Sequence, residues 1–282
     1  MRFFRILMTA LWLLCGHGQA AETGLFWQLV SPAGKVSYLF GTIHTDDPRV
    51  TDFPPRVLQA LNSVDTFMLE VAEPPRPEWL RLPQGDLSAY LSVTELDRFA
   101  ALSERQAIPL EHALRMKPWL LAVLFDLPEP QTPFAQDFLL QATAETQGKR
   151  ILGLEHPQAH FAVMDSLTMS EQLSMLHAVL KRSQAQKEQD FEDLLRTYLA
   201  GDSEQIARMD ASMTGDMLPP ALWQHIRVKL LDERNVLMAA RAIRQAQQER
   251  VFIAVGAAHL AGEHGLLHAF SQAGFMLTAI HE

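Results

Sequence analysis

Two segments far apart in the chain carry one pattern, an apolar strand followed by Gly-x-x-His. The first is Tyr38-Leu39-Phe40-Gly41-Thr42-Ile43-His44 and the second is Val251-Phe252-Ile253-Ala254-Val255-Gly256-Ala257-Ala258-His259. A short, continuous apolar run ending on glycine fits a strand buried in a sheet. Glycine lacks a Cβ and permits a sharp turn where the strand ends. The histidine then follows at the sheet edge, where a ligand or metal can reach it. One such unit says little. Two, near opposite ends of the chain, point to a site assembled from both ends of the sequence.

The intervening residues set the fold class. Residues 25–30 and 36–40 read as strands joined by the turn residues Ser31-Pro32-Ala33-Gly34-Lys35, a plausible hairpin. A proline-opened helix follows at 54–61, then an apolar strand at 66–71 that carries Glu70 near its end. Past a proline-rich passage the pattern is mostly helical as far as about residue 245, with one short strand at 149–155 ending in Glu155. Residues 170–199 read as one helix, with the polar stretch 181–190 as a solvated face, and 222–247 as a long amphipathic helix. After the second Gly-x-x-His come a helix at 263–273 and a closing strand at 275–280. The two terminal units share the order strand, Gly-x-x-His, helix, strand, a weak internal pseudo-repeat. The expectation is one α/β domain over residues 21–282 with a largely helical insertion at about 75–245.

The first 20 residues read as a signal peptide: Arg2 and Arg5, an apolar run over 6–15 too short to span a bilayer, then small residues for cleavage after Ala20. The expected location is therefore periplasmic or secreted, with no stable membrane insertion once the segment is removed. The single cysteine, Cys15, falls inside it, and Leu14 before it does not suit a lipoprotein signal. The expected mature chain thus has no thiol nucleophile and no cysteine-ligated metal. A formal charge of −9 without any long Lys/Arg cluster argues against nucleic-acid partners. There is no phosphate-binding glycine loop and no Gly-x-Ser-x-Gly elbow.

His44, Glu70 and His259 are the leading chemical candidates. Sites in open α/β sheets form at the carboxyl ends of strands, and all three sit at such ends. Either histidine alone is most simply structural; the shared context is what points to function. An acid ending an apolar strand is costly unless paired or ligating. The three can hold a divalent metal with an open position, or work without metal, one histidine acting as general base and Glu70 orienting it. Glu155 is either a fourth acid of the site or a structural partner for arginine. Arg234 and Asn235 lie in an apolar helical context, and a buried arginine needs a carboxylate or an oxyanion. Histidines such as His156, His160 and His177 have no spacing that assigns them a role.

Taken together, Leu39-Phe40-Gly41-Thr42-Ile43-His44, Leu69-Glu70, Met116-Lys117-Pro118-Trp119, the stretch Gly148-Lys149-Arg150-Ile151-Leu152-Gly153-Leu154-Glu155, Asp232-Glu233-Arg234-Asn235 and Val255-Gly256-Ala257-Ala258-His259-Leu260-Ala261-Gly262 resemble the TraB/PrgY/GumN family, in particular its exported GumN-like branch. That family is related to the Tiki metalloproteases and more distantly to ChaN and the erythromycin esterases. The resemblance implies a mixed sheet with helical insertions and a site at His44, Glu70 and His259, with Arg234, Asn235 and Glu155 matching further family positions. It implies metal-dependent cleavage of a peptide or other small substrate, with manganese or cobalt, and zinc as another option. Two positions depart from the family pattern: Ala72 stands where an Asp is frequent, and His156 where a Thr is frequent. The alternatives are a metal-independent hydrolase, a protein that sequesters a peptide or metal without turnover, and, by analogy with ChaN, haem or iron handling.

Overall fold

The computed structural model describes residues 23–215 and 218–281. The expected signal segment lies outside the described residues. Six strands form one mixed sheet: β1 (Phe26–Val30), β2 (Val36–Thr42), β3 (Thr66–Leu69), β4 (Arg150–Gly153), β5 (Val251–Gly256) and β6 (Met276–Ala279), in the order β4-β3-β5-β2-β1-β6. The β4, β3, β5 and β2 strands run parallel, β1 pairs antiparallel with β2 in the expected hairpin, and β6 pairs antiparallel with β1. The fold is α/β, as the alternation of strand and helix patterns implies.

The central position of β5 explains its sequence. It lies between β3 and β2, and Val251, Phe252, Ile253, Ala254 and Val255 are all buried. A strand covered on both faces has no room for polar alternation. On one face Leu39, Met68, Ile253 and Val255 pack with Met238, Ala239, Ala242 and Ala246 of the Glu233–Gln248 helix and with Leu266 and Phe270. On the other, Phe40, Phe67, Phe252 and Ala254 meet Val57 and Leu61 of the Pro55–Asn62 helix and Leu140 and Ala144 of the Gln136–Thr146 helix. A separate helical core gathers Leu87, Phe99, Trp119, Phe125, Met164 and Leu176. Among the described residues no helix is long and apolar enough to cross a membrane.

Three local expectations are corrected. Residues 170–199 form two helices, Met169–Lys181 and Gln184–Leu199. Arg182 is extended between them, and Ser183 with Gln186 makes a capping box that starts the second. The polar stretch 181–190 is not simply a solvated face. Lys187 is 3% exposed, its ammonium donates to the Phe125 carbonyl at 2.8 Å, and burial lowers its pKa to about 8. The expected long helix over 222–247 is interrupted. The Pro220–Arg227 helix passes into a π-turn at Val228–Asp232, with the Glu233 N–H bonded to the Val228 carbonyl, before the Glu233–Gln248 helix begins. π-turns inside helices are frequent at functional sites, and this one lies immediately before Arg234.

Candidate active site

The four parallel strands end side by side. Thr42 pairs with Gly256 across β2 and β5, Leu69 with Ala254 across β3 and β5, and Leu69 with Gly153 across β3 and β4. The residues that follow them, His44, Glu70, Glu155 and His259, therefore emerge along one sheet edge. The Glu155 N–H donates to the Glu70 carbonyl at 2.8 Å, extending the ladder past the strands and fixing the two acids relative to each other.

Both motif glycines serve close approach rather than the expected sharp turn. Neither is among the described glycines with a positive φ. A Cβ on Gly41 would lie 2.6 Å from Leu260 Cδ1 and 3.1 Å from Ala257 Cα. The first motif thus packs directly against the 3-10 turn Ala257–His259 of the second. A Cβ on Gly256 would lie 3.3 Å from Glu70 Oε1 and 3.6 Å from His259 Cδ2. The first contact is tight and the second is ordinary van der Waals contact, so the glycine gives the Glu70 carboxylate room beside the strand end.

Arg234, 6% exposed, is the centre of the charge network. Its Nε donates to Glu155 Oε2 at 2.9 Å, and its Nη2 to Glu155 Oε2 at 2.7 Å and to Glu70 Oε2. Its Nη1 donates to the Leu230 carbonyl at 3.1 Å and lies 3.4 Å from His259 Nε2. A guanidinium has five N–H groups, and these contacts use all of them. Arg234 therefore orders Glu70 and Glu155 and keeps no N–H for an oxyanion. Burial opposes its charge, but the two carboxylates raise its pKa further still. Burial likewise opposes the Glu70 charge, yet His259, Arg234 and the Gly256 N–H at 2.8 Å hold its carboxyl well below the usual range. Glu155 is also lowered: burial opposes its charge, and His160 and Arg234 outweigh that.

Asn235, the next residue, turns to His259. Its Oδ1 lies 2.7 Å from His259 Nδ1, so the imidazole donates there and its Nε2 carries the lone pair. Burial depresses the His259 pKa to about 4, so the ring is neutral at pH 7. Its Nε2 faces Glu70 Oε1 at 3.7 Å. His44 is placed differently. It is exposed, and its Nδ1 bonds Asp137 Oδ2 at 3.1 Å; that hydrogen bond raises its pKa, with the Glu70 charge adding to the rise. Five of the six sequence candidates thus form one chain of side-chain contacts, while His44 sits at the same edge on a partner of its own.

That partner, Asp137, was not among the candidates, and neither was His160. His160 Nδ1 lies 3.0 Å from Glu155 Oε2 and 3.1 Å from Arg234 Nη2. Protonated, that nitrogen donates to the carboxylate; bare, it accepts from the guanidinium. A strand-end acid followed by Pro157, which opens the Pro157–Asp165 helix, is the signal that this helix starts over the site. His156 caps the helix by accepting the Gln158 N–H at 3.2 Å, a task that a Thr at this place can also perform.

Among the described residues one group of donors lies close enough together to hold a divalent cation. Glu70, Glu155 and His160 bring ligand atoms within 4.8 Å of one another, but Arg234 Nη2 already contacts all three residues. A metal there has to displace a guanidinium. His44, His259 and Glu70 are not such a group; each imidazole has Nδ1 tied to an oxygen acceptor, which leaves Nε2 for a ligand, and the same guanidinium contacts Glu70 and lies 3.4 Å from His259 Nε2.

The model of the TraB/PrgY/gumN family matches residues 25–279. A metalloprotease of Danio rerio, TIKI2, is 27% identical over 298 aligned residues, which cover 85% of this chain and 57% of TIKI2. An uncharacterized protein of Treponema pallidum (strain Nichols) is 22% identical over 268 aligned residues, covering 89% of this chain and 76% of that protein.

Proposed function

The chain belongs to the TraB/PrgY/gumN family, and from that premise we propose that it is an exported, metal-dependent hydrolase acting on peptide bonds. The observation that carries this reading is the meeting of Glu70, Glu155, Arg234 and His259 at the carboxyl edge of the parallel strands, with His44 beside them. The likeness to a metalloprotease supports it, although this chain spans little more than half of that relative.

In this reading His44, His259 and Glu70 hold the ion, manganese or cobalt in preference to zinc. When bound, such an ion supplies Lewis acidity to an amide carbonyl and to water. The protein's own contribution is placement. Asn235 fixes the His259 tautomer, Arg234 keeps Glu70 and Glu155 ionised and oriented, and burial keeps His259 neutral, the state in which imidazole can ligate or accept a proton. The test is Mn²⁺ and Co²⁺ binding by the purified chain and by the double variant His44→Ala/His259→Ala, alongside peptide-library cleavage with and without chelator. Equal binding by both proteins refutes the metal role.

One observation favours a metal-free reading. Arg234, with the Gly256 N–H on Glu70 and His160 on Glu155, already satisfies both acids, so they need no ion to be stable. Cleavage that survives chelation supports that version. A peptide recovered intact after long incubation with metal supports sequestration without turnover.

A further inference from the structure

Three consecutive residues at the start of the Gln136–Thr146 helix address the loop that carries His44. Gln136 is 2% exposed, and its backbone and side chain together bond two places in the loop and one in the short Pro48–Thr51 helix that follows it. Its backbone N–H donates to the Thr45 carbonyl at 2.9 Å. Its Oε1 accepts the Ile43 N–H at 3.0 Å, and its Nε2 donates to the Val50 carbonyl at 2.7 Å. The buried Tyr198 hydroxyl lies 2.7 Å from the Gly41 carbonyl and 3.0 Å from Gln136 Oε1. Asp137 then bonds the His44 ring at Nδ1. Phe138 sets its ring edge-on to the imidazole, with centroids 6.1 Å apart.

An exposed His–Asp pair adds little to stability, and a strand-end histidine with a solvated side chain ordinarily samples several rotamers. Here the backbone is tied on both sides of His44, and the ring is tied by the neighbour of the residue that ties the backbone. A hydrogen bond from neutral imidazole to a carboxylate requires the proton on Nδ1, which leaves Nε2 bare.

We propose that Gln136 and Asp137 are positioning residues for His44, Gln136 clamping its loop and Asp137 setting the ring's orientation and tautomer. The proposal rests on the reading of His44 as a residue of the site. It assigns a task to a pair that carries no recognisable motif and that lies more than ninety positions from the histidine in sequence.

The first measurement is a long-range ¹H–¹⁵N correlation of the histidine side chains in the metal-free chain at about pH 9, where imidazole is neutral, with His44→Gln assigning the His44 signals. The expected result is the Nδ1–H tautomer in the wild type and in Asp137→Asn, which keeps an acceptor oxygen. Asp137→Ala is expected to revert to the Nε2–H tautomer that free imidazole favours in water. An unchanged His44 tautomer in Asp137→Ala overturns the Asp137 half of the proposal. In parallel, Co²⁺ titration is expected to give binding about 10–100-fold weaker for Asp137→Ala with an almost unchanged melting temperature. Equal affinity also overturns it. A wild type that binds no cobalt refutes the metal reading of the site, and the tautomer then decides the clamp alone. For the backbone half, Gln136→Met is expected to split or broaden the His44 signals. Should that variant not fold, Tyr198→Phe removes only a hydroxyl from the same clamp. Single, unshifted signals in the variants that fold overturn it.

Discussion

Replacing Arg234 with methionine isolates what the guanidinium does, because methionine keeps much of the apolar stem and removes the charge. The Arg234 side chain is 8% exposed, that of Glu155 4% and that of Glu70 24%. The variant leaves two carboxylates at a sheet edge with no cation between them. Removing one member of a buried ion pair costs about 3–5 kcal/mol, and here one cation serves two acids, so a loss of about 4 kcal/mol at pH 7 is expected. The pH dependence makes the test specific. In the wild type both carboxyl pKa values lie below their unfolded values, so their stabilisation is present above the ordinary carboxylate range and is lost as pH falls through the folded values. In the variant, burial acts with less opposition and raises both, so the folded state takes up protons first and is relieved as pH falls. The stability gap between the two proteins must narrow from pH 7 toward about pH 4.5. Urea unfolding across that range measures it. A gap below about 1 kcal/mol at pH 7, or one that stays constant with pH, refutes the account of Arg234 as the group that keeps these acids charged.

Gly41→Ala forces a Cβ against Leu260 Cδ1, which can move, and Ala257 Cα, which carries the second motif. A loss of about 1–3 kcal/mol and a crystallographic shift of His259 are expected; a variant of wild-type stability with His259 unmoved contradicts the close-approach role. His259 contributes an acid limb of its own. Its folded pKa is depressed from 6.5 to about 4, so its stabilisation is complete above the unfolded value and is lost as pH falls through the folded one, roughly 3 kcal/mol in all. The stability of His259→Gln should fall less steeply than the wild type's between those two values, and equal slopes contradict a buried neutral imidazole.

How much of this was legible in the sequence follows from which interactions are local. The six strands are visible as apolar runs, and the buried β5 most plainly, because a strand covered on both faces has no polar positions. The break at Arg182 is written in Ser183 and Gln186, yet the continuing helical periodicity hides it. The π-turn before Arg234 is hard to read because Val228–Asp232 contains no glycine or proline to mark a break in the helix. The glycines of the two motifs were visible, but not their reason, because the atoms they make room for come from the other motif and from Glu70. Of the site, residues at strand ends could be read from the sequence. Asp137 and His160 could not, because each reaches its partner only when a helix docks over the sheet edge. The pairing of Arg234 with acids was open to Glu70 or Glu155; it takes both.

The central claim is that His44, Glu70 and His259 share one metal ion at the carboxyl edge of the parallel strands. Anomalous diffraction from crystals soaked in Mn²⁺ or Co²⁺ tests it most directly. The account predicts a single strong peak bonded to His44 Nε2, His259 Nε2 and Glu70, with Arg234 still between Glu70 and Glu155. No peak at that edge, or a peak held by Glu70, Glu155 and His160 with Arg234 displaced and both motif histidines unligated, contradicts it.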